Sequence, residues 1–418
     1  MNDQTSPESR PHPYRWIVLG VWLFTSVSGF MVMSVVGILL PAISLDLSLS
    51  PSQQGMLGSA AFWGNVLLAI PLSWLTSRFS PKLLTTVTLA LGALALFVQG
   101  WAPVFAVLLL GRLMFGLMVI ARQPARSLLT QQWFPPREFV MANSVGNALF
   151  GLVVGGGLIA TPFILANLGD SWRGTLHAFG AYFILLTILW AVFGRERATT
   201  HAPRSRTSLA PHILKSVLSY RDLWVQGFGF VGPTLVWSAF LSFFPTLMLG
   251  SYEIPLQWSG GILALGILMG GISGLVVGYV DMHTGKGRVI MQSLAALMLA
   301  TYVGMVLIPS IPLLLLLSFV NGIAWGFWPV LFTVPFHLPN IRPREVAIAV
   351  SFTLMMTSLG TALGPLSAGF LQEALGDLRM TLLILSFAPL SLAVAASILR
   401  LERLPSSEES IEAAQPGD

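Results

Sequence analysis

Apolar runs of about twenty residues recur along this chain with only short polar turns between most of them. One run of that length is what a helix needs to cross a bilayer. In lipid every backbone N–H and C=O must be satisfied within the protein, so runs of this kind form helices. Twelve spans are expected, over residues 15–41, 54–77, 83–101, 103–132, 142–166, 174–194, 223–250, 258–281, 287–308, 311–338, 345–372 and 378–401. The fold class is an all-α membrane protein. Only 9% of the residues are charged, against about a quarter in soluble domains, which excludes the soluble class.

The polar remainder sets the organisation. Residues 1–14 are polar and Pro-rich and are expected to be disordered on the cytoplasmic membrane surface. Residues 15–194 make a first six-helix bundle, 195–222 a basic cytoplasmic linker, 223–402 a second bundle, and 403–418 a disordered tail. Of the 22 lysines and arginines, seventeen fall on the side of the amino terminus, two (Arg173 and Arg379) on the other, and three inside the fourth span. The positive-inside rule then places both termini in the cytoplasm of a plasma or inner membrane. A net charge of +5 is also found in nucleic-acid binders, but here the basic residues sit in short loops between spans, so topology accounts for them and no nucleic-acid partner is expected. Trp16–Leu40 is too long for a cleavable signal peptide and no small-residue cleavage site follows it. The chain has no cysteine, which excludes disulfides, thiolate chemistry and Cys-based metal sites. Neither a cofactor nor a metal is expected.

The two halves repeat. Pro136-Arg137-Glu138, Ala142, Ser144 and Gly157 reappear 207 residues later as Pro343-Arg344-Glu345, Ala349, Ser351 and Gly364, and Gly116 and Gly322 nearly keep that offset. A parallel six-plus-six repeat implies two pseudo-symmetric six-helix bundles with a site between them.

The fourth span carries Arg112, Arg122 and Arg126 and no other charge. At about 100° per residue, Arg122 and Arg126 lie roughly 40° apart, with Arg112 within roughly 80° of both. An arginine near the bilayer centre costs at least ~2.5 kcal/mol, so this face looks into protein or a watery cavity. Arg122 is the deepest of the three that cannot easily reach water. Arg112 also admits a structural reading, and snorkelling to the cytoplasmic surface is the alternative use of Arg126. Pro124 bends the helix at this depth and Pro329 is its partial counterpart. On the tenth span Asn321, Trp325 and Trp328 share a face, as do Trp237, Phe240 and Phe244 on the seventh. Packing is the alternative use of those faces. Asn65, midway along the second span, touches either solute or a neighbouring helix. Gly266, Gly270, Gly274 and Gly278 form a groove on the eighth span, and Gly151 and Gly155 a shorter one on the fifth. Small residues at that spacing allow close helix approach. These two grooves are expected to meet in a seam between the bundles.

Leu108-x-x-x-Arg112-x-x-Phe115-Gly116, the Trp133–Glu138 loop and Gly360-x-x-x-Gly364-Pro365-x-x-x-Gly369 together resemble motifs of the major facilitator superfamily (MFS). The resemblance spans about residues 15–402. Its loop motif between the second and third spans is reduced to Arg78 and Lys82, and the second-half copy keeps Asp281 with Lys286 and Arg288. The resemblance implies alternating access, with spans one, four, seven and ten lining a central cavity and Arg78, Lys82 and Asp281 near its gates.

None of the seventeen acidic residues falls in a span interior; Asp281 lies at an end. With no protein carboxylate to pair the arginines, a carboxylate on the solute is their natural partner. The expected function is a monomeric transporter, not an enzyme, that moves a small organic anion. Substrate contacts are expected from Arg122, Arg112, Arg126, Asn321, Trp325, Trp237 and Asn65. Efflux of amphipathic drugs and carriage of a nitrate-like inorganic anion are the alternatives. A membrane-embedded enzyme is disfavoured: no nucleophile–base pair or His–acid cluster is present.

Overall fold

A computed structural model describes residues 13–76, 79–135, 138–196, 216–336, 338 and 341–399. The expectations for residues 1–12, for most of the linker and for the tail lie outside the described residues, as does Arg78. Twelve helical spans form two six-helix bundles. Five spans are single helices in the first bundle's interior and rim or close equivalents in the second: Pro51–Thr76 (span two), Pro81–Gly100 (three), Phe139–Asn167 (five), Trp172–Phe193 (six) and Arg221–Ser251 (seven). Leu256–Thr284 (eight), Gly287–Leu307 (nine) and Pro343–Leu375 (eleven) are also continuous.

The other four are broken. Span one runs Tyr14–Ser34 and continues as Val36–Leu47; span four runs Phe105–Ala121 and Gln123–Trp133. Span ten is Ile311–Ala324, Phe327–Phe332 and a short 3₁₀ turn, and span twelve is Leu378–Leu385 and Leu390–Ile398. Three of the breaks have a proline at or just past them: Pro124, Pro329 and Pro389. Each removes one N–H from the helix ladder and crowds the carbonyl four residues back. The break at Val35 has no such cause nearby.

The repeat is visible in side-chain detail. Arg173, at the start of span six, donates to the Ala102 carbonyl beyond the end of span three (3.2 Å). Arg379, 206 residues on, donates to the Val306 and Leu307 carbonyls at the end of span nine (3.2 and 3.1 Å). A cation on the negative end of a helix is favourable in both halves.

The bundles meet at the face opposite the termini. Gly37 of span one lies so close to span seven that a methyl group there would run into the Leu241 carbonyl, and Gly55 of span two sits likewise on Pro365 and Gly369 of span eleven. Gly260 of span eight packs on the Leu158 carbonyl of span five. The Glu373 carboxylate at the end of span eleven accepts a hydrogen bond from the Ser52 N–H at the start of span two (3.0 Å). These contacts lie in the half of the molecule distant from the termini.

The glycine grooves do not meet each other. Gly151 and Gly155 do face span eight, but they meet Leu268 and Ala264. Gly266, Gly270 and Gly274 turn the other way, onto Ser318, Trp325 and Pro329 of span ten. That groove is packing inside the second bundle. A spacing of four fixes which residues share a face but not which neighbour the face meets.

A candidate solute site between the bundles

The first wall is built on spans one, four and five. Trp22, Ser26 and Phe30 recur every four residues on span one, and together with Leu23, Val27, Gln123, Arg126, Gly146 and Phe150 they line a cleft of about 90 Å³. Gly146 leaves room for the Arg126 guanidinium, which lies against it and Leu23. The Trp22 indole N–H is buried and has no hydrogen-bond partner.

Arg122 occupies the break in span four, one turn from Arg126. It is 0% exposed, and none of its three guanidinium nitrogens has a hydrogen-bond partner. The group lies in a notch at Gly29, where a methyl group would collide with it, and its Cζ is 6.0 Å from the centre of the Phe183 ring of span six. It therefore sits behind the cleft, inside the bundle, and does not line it. A fully buried cation without a hydrogen bond is among the costliest arrangements a protein interior holds.

Arg112 does not reach solute space. Its guanidinium donates to the Val32 carbonyl at 3.1 Å and to the Met33 carbonyl. Those two oxygens belong to the last turn of Tyr14–Ser34, where the break leaves them without intrahelical donors. Arg112 thus seals the end of a helix from the side, which is its structural reading.

The second wall is aromatic. Trp237 lies one turn from Leu241 on the face of span seven that meets span one, so it looks into the space between the bundles. Trp325, at the break in span ten, meets it edge to face with ring centres 6.1 Å apart, and Trp328 continues the surface (6.3 Å). Asn321 turns away from this surface: its amide donates to the Thr301 hydroxyl of span nine (2.8 Å) and it is 7% exposed. Ser273 donates to the Gly322 carbonyl (3.0 Å) and Ser318 to the Ile262 carbonyl (2.5 Å). A polar residue on the cavity-lining span is here a partner for the helix behind it.

Among the expected gate residues, Lys82 receives the Glu196 carboxylate on its backbone N–H, and its carbonyl accepts from the Trp190 indole (3.1 Å). Both contacts stay inside the first bundle. Asp281 lies in the last turn of span eight, where its carbonyl accepts from the Gly285 N–H (2.9 Å). The Asn65 side chain lies outside the described residues. Sequence reasoning missed Trp22, Gly29 and Glu373. The stripe at 22, 26 and 30 was a readable signal for the first, whereas nothing in the sequence links Glu373 to a segment 321 residues away.

Known proteins of similar sequence are transporters. A probable chloroplastic anion transporter of Arabidopsis thaliana is 25% identical, with 84% of this chain and 70% of that protein covered. A probable galactarate/D-glucarate transporter of Escherichia coli strain K12 is 23% identical over 63% of this chain and 66% of its own. A solved bacterial homologue of the human lysosomal transporter Spinster superposes with a TM-score of 0.78 at 17% identity, covering 94% of this chain and 99% of that one. Residues 22–342 match the sequence description of the Major Facilitator Superfamily, and with the two six-helix bundles this establishes that the chain belongs to that family.

Proposed function

We propose that this transporter carries a small organic anion across the plasma membrane by alternating access, with the acid group held at Arg126. The observation that carries the reading is Arg122: a wholly buried guanidinium without a hydrogen bond, one turn behind an arginine that lines the cleft. The sequence places no carboxylate in any span interior to neutralise Arg122. The missing negative charge then arrives with the solute, and Arg126 and the unpaired Trp22 N–H are donors on the lining of the cleft, beside Ser26 and Gln123. Two relatives are named as carriers of anions or of sugar diacids, which agrees with an anionic solute.

The loop charges favour cytoplasmic termini, so the joined face is the outer one and the conformation is inward-facing. In the alternate state the contacts at Gly37, Gly55 and Glu373 separate. Lipophilic cations, the solutes of the drug-efflux alternative, are repelled by the same two arginines.

The test is uptake of a panel of small organic anions into proteoliposomes. Truncating one member of a hydrogen-bonded charge pair removes ~2–5 kcal/mol. Arg126→Ala is expected to lower uptake about a hundredfold, and Arg126→Lys to retain part of it because the charge survives without the fork. Full transport by both Arg126→Ala and Arg122→Ala overturns the proposal.

A further inference from the structure

The two walls differ in what they offer a bound molecule, and the difference bears on the solute's body. The cleft at Arg126 measures about 90 Å³, well below the ~300 Å³ of a small-molecule pocket, so it admits an acid group and little more. The remainder of the solute protrudes toward the opposite wall. There the surface is formed by the rings of Trp237 and Trp325. The polar groups just behind it are engaged within their own bundle: Asn321 on Thr301 and Ser273 on Gly322. A hydroxyl brought against this surface loses its water and finds no free partner among the described residues of this wall, which is unfavourable. A ring or branched alkyl group brought there stacks on indole faces.

We propose that the solute is an amphipathic monocarboxylate with an aromatic or branched aliphatic body, taken in preference to a polyhydroxylated acid. Its carboxylate sits at Arg126 and its body against Trp237 and Trp325. The inference rests on the anion reading above and narrows it. It also separates this chain from the relative named for the polyhydroxylated acids galactarate and glucarate.

The experiment measures binding to the purified full-length protein by thermal shift, confirmed by calorimetry. Five probes are used: phenylacetate, isovalerate, gluconate, the neutral phenylacetamide and the cation benzyltrimethylammonium. Phenylacetate and isovalerate are expected to bind at least tenfold more tightly than gluconate and phenylacetamide, and the cation not at all. Trp237→Phe and Trp325→Phe keep the packing and should weaken phenylacetate only a few-fold. Trp237→Leu and Trp325→Leu should weaken it about tenfold, without change in the weak binding of gluconate. Gluconate binding as tightly as phenylacetate overturns the apolar body and leaves the anion reading intact. Phenylacetamide or the cation binding as well as phenylacetate overturns the anion reading itself, and silence from all five overturns both. If a leucine variant is not monodisperse on size exclusion, the phenylalanine series and the ligand ranking still decide.

Discussion

Spans four and ten occupy corresponding places in the two bundles and break at nearly the same depth, yet they put opposite chemistry at the break. Span four ends its first helix at Arg122, ahead of Pro124; span ten ends its first helix at Trp325, ahead of Pro329. In each case the chain closes the gap with a tighter bond, Ala125 N–H to the Arg122 carbonyl (3.0 Å) and Trp328 N–H to the Trp325 carbonyl (3.3 Å). By the 206-residue offset Arg122 falls on Trp328, so the duplicated scaffold has kept the bend to within a turn and put indoles where the first half has a guanidinium. A broken helix opens a local gap in its own surface, and here one gap holds an unpaired cation while the other holds an indole. The proposal of an anion with an apolar body rests on this asymmetry together with the buried Arg122.

The same comparison extends about two to three helix turns further out. Arg112 of span four and Ser318, 206 residues on, both donate to carbonyls of neighbouring spans. The arginine closes two carbonyls at a helix end with a charged donor, whereas the serine makes one neutral bond. Hydrogen bonds from charged groups contribute ~1.5–3 kcal/mol each and neutral ones about 1. Arg112→Ala is expected to destabilise the protein by about 3 kcal/mol, and Ser318→Ala by about 1 kcal/mol. Denaturant unfolding in detergent measures both. Equal losses at the two sites would break the comparison. Loss of anion selectivity in Arg112→Ala without loss of stability would return Arg112 to the solute site.

How much of this was legible in the sequence follows from what a helix period encodes. Apolar run length and the 207-residue repeat gave the twelve spans and the two bundles, because lipid imposes length on every span alike. Proline positions gave the bends in spans four and ten; Pro389 marks the break in span twelve but was not read from the sequence. The period also put Arg112, Arg122 and Arg126 on one face, but that face is wide enough to meet three environments: a neighbour's carbonyls, a bundle interior and a cleft. An arginine side chain is long, so its Cα direction does not fix where the charge ends. Asn321 failed for the related reason that an amide on a cavity-lining span finds its partner, Thr301, on the helix behind. Contacts between bundles, such as Glu373 on Ser52, depend on tertiary placement that no local pattern carries.

The notch at Gly29 sharpens the comparison with a smaller effect. A methyl group at Gly29 would overlap the Arg122 guanidinium, so Gly29→Ala forces that group to move. Leu235, 206 residues on, shows that the second half carries a large side chain at the equivalent place, where no arginine needs space. If the buried cation is held in reserve for the solute, Gly29→Ala drives it toward the cleft and strengthens anion binding by a few-fold. Gly29→Ala combined with Arg122→Ala should bind as Arg122→Ala alone does, since the methyl group then meets only the Val119 side chain (2.8 Å), inside the bundle. Calorimetry on the single and double variants gives the coupling, and additive effects would show that Gly29 acts on something other than Arg122.

The smallest expected effect lies at the outer rim, where the halves differ in one titrating group. Asp46, beyond the apolar run of span one, accepts from Arg173 and from the Trp172 indole (3.2 Å). The bond from the Arg173 guanidinium holds its carboxyl below the ordinary carboxylate value against a partial opposing effect of burial, with Trp172 helping. Tyr252 stands 206 residues on, beside Arg379, and its hydroxyl donates to the Val306 carbonyl. Burial raises this phenol above its ordinary value, with the Arg379 charge opposing. A depressed carboxylate stabilises the folded state above its unfolded pKa of about 4, and that contribution fades as pH falls through the depressed value. A raised phenol stabilises the folded state below about 10, and that contribution fades as pH rises through the raised value. Asp46→Asn should therefore lower the melting temperature slightly at pH 7, with the gap to the wild type closing in acid. Tyr252→Phe should show its gap at pH 7 and lose it only in strong base. An Asp46→Asn gap that persists unchanged below the depressed carboxylate value would mean that the charge on Asp46 does not matter, and that the two rims are alike in more than their arginines.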